Sequence, residues 1–334
     1  MKAFVIDRYG KQEQGRIGEM PDPELGENDV LVQVYAAGVN PVDFRIKNGE
    51  FKLVVPYRFP LILGNDVAGV VIQVGRRVRR FKIGDEIYAR PPEDRIGTFA
   101  ELIAMNEDAV AMMPKKLTME EAASIPLAGL TAWQALVETA NLKTGQKVLI
   151  HAGSGGVGAF AIQLAKHLGA TVTTTTSTAN LDLVKSLGAD IAIDYKTTDF
   201  AKVLRDYDVV LNSLGTDTLN QSLQVLKSGG KLISISGPPD PAFAKDRGLS
   251  WILRLGVRVL SYGIRKKAKR RNVSYSFLSM RASGEQLRKI ASLIDAEVIR
   301  PVVDRVFPFE STKEALAYVE TGRAKGKVVV KIRE

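Results

Sequence analysis

The sequence predicts an α/β protein: a doubly wound parallel sheet set, along the chain, between the two halves of a β-barrel-like domain. Three observations predict it. From about residue 130 onward, short apolar or β-branched strands alternate with helix-period segments through Gly-marked turns, which is the texture of βαβ units. The first third is instead strand-rich, punctuated by Gly and Pro, with few helices. The C-terminal tail then returns to the first texture, so the barrel-like domain is discontinuous.

Taken in order, Met1–Asp7 reads as a strand and lacks the apolar core and cleavage site of a signal peptide. Val30–Ala36 alternates as a half-buried strand, and Asp66–Val74 runs as a strand until Gly75. Ile83–Tyr88 reads as a turn and strand, and the one clear helix of this part is Met119–Ala123. A helix is expected over Leu130–Ala140, a strand over Lys147–Ala152 and a helix over Gly156–Leu168. That last helix carries apolar residues at 157, 160, 161, 164, 165 and 168. Thr171–Thr176, Ile191–Ile193, Asp208–Asn212 and Lys231–Ser236 read as strands, with helices at Leu181–Leu187 and before Leu226. The tail gives helix Gly284–Ile294, strand Val302–Phe307, helix Thr312–Thr321 and strand Lys327–Ile332. These textures divide the chain into 1–122 with 282–334, and 123–281.

With 334 residues, 45% apolar and 25% charged, the chain is long enough for two cores and has a globular composition. It holds no Cys, which excludes disulfides, a thiolate nucleophile and every Cys-containing zinc site. No run of apolar residues is long enough to span a bilayer. The expected location is cytoplasmic, with a membrane-peripheral alternative. The net charge of +10 is concentrated: residues 245–271 hold ten Lys/Arg and one acid, Asp246, so the rest is close to neutral. A nucleic-acid role for the whole chain does not follow from its pI.

The strongest motif is Gly153-Ser154-Gly155-Gly156-Val157-Gly158, a G-x-G-x-x-G run directly after a strand and opening a helix. Glycines there let the backbone turn sharply and approach a pyrophosphate, which the helix N-terminus receives. The alternative is a plain Gly-rich βα turn. An NAD site carries an acid about 20 residues further on, for the ribose 2′-OH. Here Thr173–Asn180 holds hydroxyls and an amide and no acid. A 2′-phosphate is tolerated there, so NADPH is the expected cofactor, although Thr is also simply a good strand former.

The chain resembles the zinc-free quinone oxidoreductases of the medium-chain dehydrogenase/reductase superfamily over essentially its whole length. The pieces that carry the resemblance are Ala36–Asp43, Gly64–Val71, Leu130–Trp133, Ala152–Gly158, Lys185–Asp190, Ile193–Tyr195 and Gly322–Lys327. The resemblance implies a Rossmann NADP-binding domain and a GroES-like β-barrel catalytic domain, with the cofactor in the cleft between them. It implies that Gly155, Gly156 and Val157 meet the pyrophosphate, and that Ser177, Asn180, Tyr195 and Arg323 hold the 2′-phosphate. Thr131 and Gln134 fall near the nicotinamide and its ribose. Ser213, Leu214, Ser236, Gly237, Phe277 and Leu278 fall along the nicotinamide wall. Asn180 departs from relatives with Lys there, and Asn212 stands where Asp is common. A homodimer is what the family suggests.

Against zinc alcohol dehydrogenases, Asn40 occupies the place of a zinc Cys and Asn65 the place of the zinc His, so no metal site is expected. His151 and His167 are expected to be structural. Without a Lewis acid, reduction of an electron-poor acceptor is the easier chemistry, which implies a quinone or α,β-unsaturated carbonyl substrate. Asn40 is the candidate for a hydrogen bond to the substrate oxygen, or else a loop amide that fixes the turn. Asp43 acts through water, or is a structural carboxylate; Arg45 holds substrate, or is plain surface. An enoyl-thioester reductase of the same fold and a non-catalytic NADPH-binding adaptor are the alternative functions.

Ser250–Ile264 places Trp251, Leu255, Val259 and Tyr262 on one helical face and Arg254 and Arg258 on another, ahead of the basic run Arg265–Arg271. Such a stripe with a cationic end fits peripheral membrane contact by 250–271. A lid over the substrate cleft, an intersubunit element and a solvated cationic loop are the alternatives. Nucleic-acid binding is not expected, because no aromatic stacking platform accompanies the charge.

Overall fold

The structure is a computed structural model and describes all residues, 1–334. The chain forms two compact units, Met1–Leu130 with Arg281–Glu334, and Thr131–Met280. The division falls inside a helix, eight residues beyond the 122/123 boundary that texture suggested. The reason is local: Leu127 N–H donates to the Asp66 carboxylate, which ties the start of that helix to the first unit.

The first unit opens with β1 (Lys2–Ile6), β2 (Arg16–Glu19), β3 (Asp29–Val39), α1 (Pro41–Lys47), β4 (Leu61–Ile62) and β5 (Asp66–Val74). β6 (Glu86–Ala89), β7 (Leu102–Asn106), β8 (Val110–Met112), α2 (Met119–Ala123) and α3 (Pro126–Trp133) follow. The second unit holds β9 (Lys147–Ile150), α4 (Gly156–His167), β10 (Thr171–Thr176), α5 (Leu181–Ser186), β11 (Ile191–Asp194), α6 (Phe200–Val203) and β12 (Tyr207–Asn212). It continues with α7 (Thr216–Val225), β13 (Leu226–Ser234), α8 (Pro241–Asp246), α9 (Trp251–Arg270) and β14 (Ser274–Phe277). The chain then returns to the first unit with α10 (Gly284–Asp295), β15 (Val303–Pro308), α11 (Thr312–Glu320) and β16 (Lys327–Lys331).

In the first unit, β15-β16-β3-β5-β6-β8 form one sheet, with β7 also on β3, and β2-β1-β4 form a smaller one. Alternation along β3 and β5 sends Val30, Val32, Val34, Val67 and Val71 into a core shared with Ile87, Ile103 and Met105. A second core gathers Phe4, Ile6, Leu63 and Phe99 with Phe309 and Leu316. Gly38 is needed where α2 crosses β3, because a Cβ there would lie 2.4 Å from the Ala123 carbonyl oxygen. α1 was not legible as a helix, being only seven residues long. Its local signals are Asn40 at the N-cap, Pro41 in the first turn and Asp43, whose carboxylate accepts the Asn40 N–H at 2.7 Å.

The second unit is a six-stranded, all-parallel sheet in the order β11-β10-β9-β12-β13-β14. This is the doubly wound dinucleotide order, with its reversal between β9 and β12. Leu149, Val210, Leu219, Leu223, Leu232, Ile264 and Ala268 fill the core on one face. The helix expected over Leu130–Ala140 is corrected: α3 ends at Trp133 and a π-helical stretch, Gln134–Thr139, replaces it. Ala140 N–H accordingly bonds the Ala135 carbonyl, five residues back.

Candidate functional site

The expected site residues fall into two sets, one in each unit. In the second unit, β9 runs into the turn 151–155 and α4 begins at Gly156. Ala152 holds φ +53, an unusual backbone for a residue with a Cβ, so the chain reverses abruptly there. The three glycines of the fingerprint do different jobs. A Cβ at Gly153 would lie 2.0 Å from Thr174 Oγ1, and one at Gly158 would lie 2.3 Å from the Ala152 carbonyl oxygen. Both are packing requirements of strand against helix. A Cβ at Gly155 would meet only the Ala152 carbonyl oxygen, at 3.4 Å. That open backbone face, at the N-cap of α4, is the part of the turn that a phosphate can approach.

Beside it stands a cluster of hydroxyls and one amide. Ser154 Oγ accepts from Thr176 Oγ1 and from Asn180 Nδ2, both at 3.0 Å, and Asn180 Nδ2 also reaches Ser177 Oγ at 3.2 Å. The Asn180 Oδ1 atom is buried without a hydrogen-bond partner. No acid stands at the end of β10. The carboxylate at the end of β11, Asp194, accepts from Thr178 Oγ1 at 2.5 Å and from the Lys196 N–H at 2.9 Å, and these bonds hold it below the usual carboxylate range. Tyr195 follows it and is exposed.

The remaining residues of this set sit just past the carboxyl ends of β12, β13 and β14, where open α/β sheets bind ligands. They are wired together. Ser213 Oγ donates to the His151 carbonyl, Ser236 Oγ to the Leu214 carbonyl, Gly237 N–H to Ser234 Oγ and Leu278 N–H to the Ser234 carbonyl. Asn212 fixes the same loop, its amide bonding both the N–H and the carbonyl of Leu214. Phe277 N–H is held by Asp240 at 3.0 Å. Thr131 and Gln134 are buried on α3 and in the π-helical stretch. His151 is buried between Thr175 Oγ1 and Ser222 Oγ, and burial pushes its imidazole down to about 3, so it is neutral.

In the first unit, Asn40 and Asp43 belong to a buried polar centre assembled from residues far apart along the chain. Lys327 Nζ donates to Asn40 Oδ1 at 2.5 Å and to Asp66 Oδ2 at 2.9 Å. Asn40 Nδ2 donates to Asp66 Oδ2 at 2.8 Å and to the Gly38 carbonyl at 3.3 Å. Asn65 Nδ2 donates to Asp43 Oδ1 at 2.7 Å. Burial pushes the Asp43 carboxyl up to about 7, against the opposing effect of its hydrogen bonds. Of the two readings of Asn40, this geometry fits the loop amide that fixes the turn, since both amide protons and the amide oxygen are engaged inside the protein. The same holds for Asp43, which is fully buried with each oxygen accepting a bond. Arg45 pairs with Glu50 at 2.7 Å and covers the Phe51 ring. Arg323 is exposed in the turn after α11. Lys327 and Asp66 are the residues that sequence reasoning missed. Both lie in family-like pieces, but they are 261 positions apart and nothing local pairs them.

The chain matches the zinc-binding dehydrogenase family over residues 187–330 and the alcohol dehydrogenase GroES-like domain family over residues 26–115. It is 38% identical to human "NAD(P)H oxidoreductase RTN4IP1, mitochondrial", over 99% of this chain and 89% of that protein. It is 36% identical to "NADPH-dependent alkenal/one oxidoreductase, chloroplastic" of Arabidopsis thaliana, over 99% of this chain and 79% of that protein. The solved quinone oxidoreductase from Coxiella burnetii superposes with a TM-score of 0.87 at 32% identity, covering 100% of this chain and 99% of that one. The chain therefore belongs to the medium-chain dehydrogenase/reductase superfamily, with its GroES-like domain and six-stranded Rossmann sheet. Within the superfamily it falls in the branch of the quinone oxidoreductases, the RTN4IP1 oxidoreductases and the alkenal/one oxidoreductases.

The name of one matching family implies zinc, and the residues present do not fit it. No group of three His, Cys, Asp or Glu side chains comes together anywhere in the chain. Where zinc enzymes of the superfamily carry ligands, Asn40 and Asn65 stand instead, their Nδ2 groups donating to Asp66 and Asp43.

Proposed function

We propose that this chain is an NADPH-dependent oxidoreductase that delivers a hydride to a quinone or an α,β-unsaturated carbonyl compound without a metal. One observation carries the reading: the open backbone at Gly155 lies beside a cluster of Ser154, Thr176, Ser177 and Asn180 that is made of hydroxyls and an amide and contains no carboxylate. Gly155, Gly156 and Val157 receive the pyrophosphate. Ser177, Asn180, Tyr195 and Arg323 grip the 2′-phosphate.

Bound NADPH supplies the hydride. Thr131, Gln134, Ser213, Leu214, Ser236, Gly237, Phe277 and Leu278 orient the nicotinamide, and catalysis is largely placement of reacting atoms away from water. Asn40 and Asp43 are positioning residues in this reading. They hold the β3–α1 turn rigid through Lys327 and Asp66. The names of the relatives, which include NADPH-dependent and alkenal/one oxidoreductases, support the cofactor and the substrate class. A homodimer belongs to the same reading, because β14 ends the parallel sheet with an open edge that a second copy can pair.

Loss of NADPH absorbance against a quinone, a 2-alkenal, a crotonyl thioester and a simple aldehyde tests the proposal. Turnover of the quinone or alkenal, with little on the aldehyde, is expected; preference for the thioester favours the enoyl-thioester reading, and binding without turnover of any substrate the adaptor reading. Arg323→Ala is expected to weaken NADPH about tenfold or more, the worth of one charged hydrogen bond, and to leave NADH unchanged. Equal loss for both cofactors would remove Arg323 from the phosphate site.

A further inference from the structure

Helix α9 is apolar on two opposite faces. Val257, Ser261, Ile264 and Ala268 point inward and are buried, and Ile264 and Ala268 join the core beneath the sheet. Half a turn away around the axis, Trp251, Ile252, Leu255, Val259 and Tyr262 form a second stripe that faces solvent. Trp251 is 76% exposed and Val259 69% exposed, far more than packing onto its own unit allows. The stripe is flanked along one side by Arg254, Arg258 and Arg265. It runs at its C-terminal end into Lys266, Lys269 and Arg270. No acid lies anywhere between Ser250 and Arg271. Gly256 and Gly263 have open space where a Cβ would be, so the adjoining surface is low and smooth.

We propose that α9 docks this protein, in its plane, onto an anionic lipid surface. The stripe enters the headgroup–acyl boundary while the flanking guanidinium and ammonium groups take the lipid phosphates. Three features favour this occupant over a second copy of the chain. A two-fold pairing of α9 on α9 brings two uniformly basic helices together with no acid to neutralise either. The apolar stripe is narrow and bordered by long cationic side chains, Lys266 lying over the Tyr262 ring, the apolar-plus-basic pattern of an interfacial helix. The mode is peripheral, since no helix of the protein is long and apolar enough to cross a membrane.

The experiment is co-sedimentation of the full chain with phosphatidylcholine vesicles, with and without phosphatidylglycerol. It is combined with tryptophan emission, since Trp251 and Trp133 are the only two tryptophans. Binding to the phosphatidylglycerol vesicles is expected, with a blue shift of the emission. The Trp251→Ser/Leu255→Ser/Val259→Ser variant and the Lys266→Glu/Lys269→Glu/Arg270→Glu variant are each expected to lower partitioning about a hundredfold. Both are expected to keep the thermal midpoint of the parent, because every substituted side chain is exposed. Absence of binding to anionic vesicles overturns the proposal. So does equal binding to pure phosphatidylcholine, or unchanged binding by the apolar variant. A solution mass that drops in the apolar variant would assign the stripe to a second copy and overturn it as well.

Discussion

Both units bury polar groups at their centres, yet they do so with opposite chemistry. The first unit buries charge: Asp66 and Lys327 pair at 2.9 Å, and Asn40, Asp43 and Asn65 close the network around them. Under the sheet's glycine turn the second buries neutral groups, with His151 between Thr175 and Ser222, Thr173 on Tyr207, and Thr174 on the Ile150 carbonyl, while its buried carboxylates, Asp208 and Asp240, lie elsewhere in the unit. A charged centre locks a backbone turn rigidly but is intolerant of losing a partner. In the neutral one, β10 ends in hydroxyls and an amide, and Asp194 at the end of the neighbouring β11 is engaged by Thr178 and the Lys196 N–H. Rigidity in one unit and charge selection in the other call for different side chains.

The largest effect that can break this contrast is removal of Lys327. Lys327→Met leaves Asp66 buried and unpaired, and a loss of about 3–5 kcal/mol is expected in denaturant unfolding. Adding Asp66→Asn is expected to recover part of it. No loss in the single variant would mean that the centre is not held by charge.

Next come pH effects of opposite sign. The Asp43 carboxyl is raised from 3.8 to about 7, so the folded protein binds the extra proton in that window. Its contribution is full below the lower value and is lost as pH rises through the upper one. His151 is lowered from 6.5 to about 3, so the unfolded chain binds the extra proton. Its contribution is present above pH 6.5 and is lost as pH falls. Thermal midpoints measured from about pH 5 to about pH 8 should therefore separate the two. Wild type should fall relative to Asp43→Asn as pH rises, and relative to His151→Gln as pH falls. Parallel curves would place neither group where the structure has it.

Smaller again is the contrast within the glycine turn. Gly158→Ala forces backbone atoms apart and should cost about 1–3 kcal/mol. Gly155→Ala should stay within about 1 kcal/mol of wild type while weakening NADPH more than tenfold.

The same contrast explains what was legible in the sequence. The parallel sheet was readable almost strand by strand, because βαβ units are local: Lys147–Ile150, the glycine turn and Gly156–His167 are consecutive. The absent acid after Thr176 was visible for the same reason. The charged centre was not, since Asn40, Asp66 and Lys327 meet only through β3, β5 and β16 pairing across the sheet. Asn40 reads equally as a substrate donor or a turn amide, because Asp66 and Lys327 lie far away in sequence. α1 was too short to show a period, and the π-helical stretch after Trp133 has the same apolar content as an α-helix. The amphipathic stretch at Trp251 was evident, but only the fold shows that the helix has a second, buried apolar face that leaves the stripe outside.

Direct titration of the purified protein with NADPH and with NADH, followed by calorimetry, bears most closely on the claim that a carboxylate-free hydroxyl and amide cluster selects the phosphorylated cofactor. NADPH is expected to bind at least about tenfold more tightly, with the preference reversed by Ser177→Asp. Equal affinity for the two cofactors, or a preference for NADH in the wild-type chain, would contradict it.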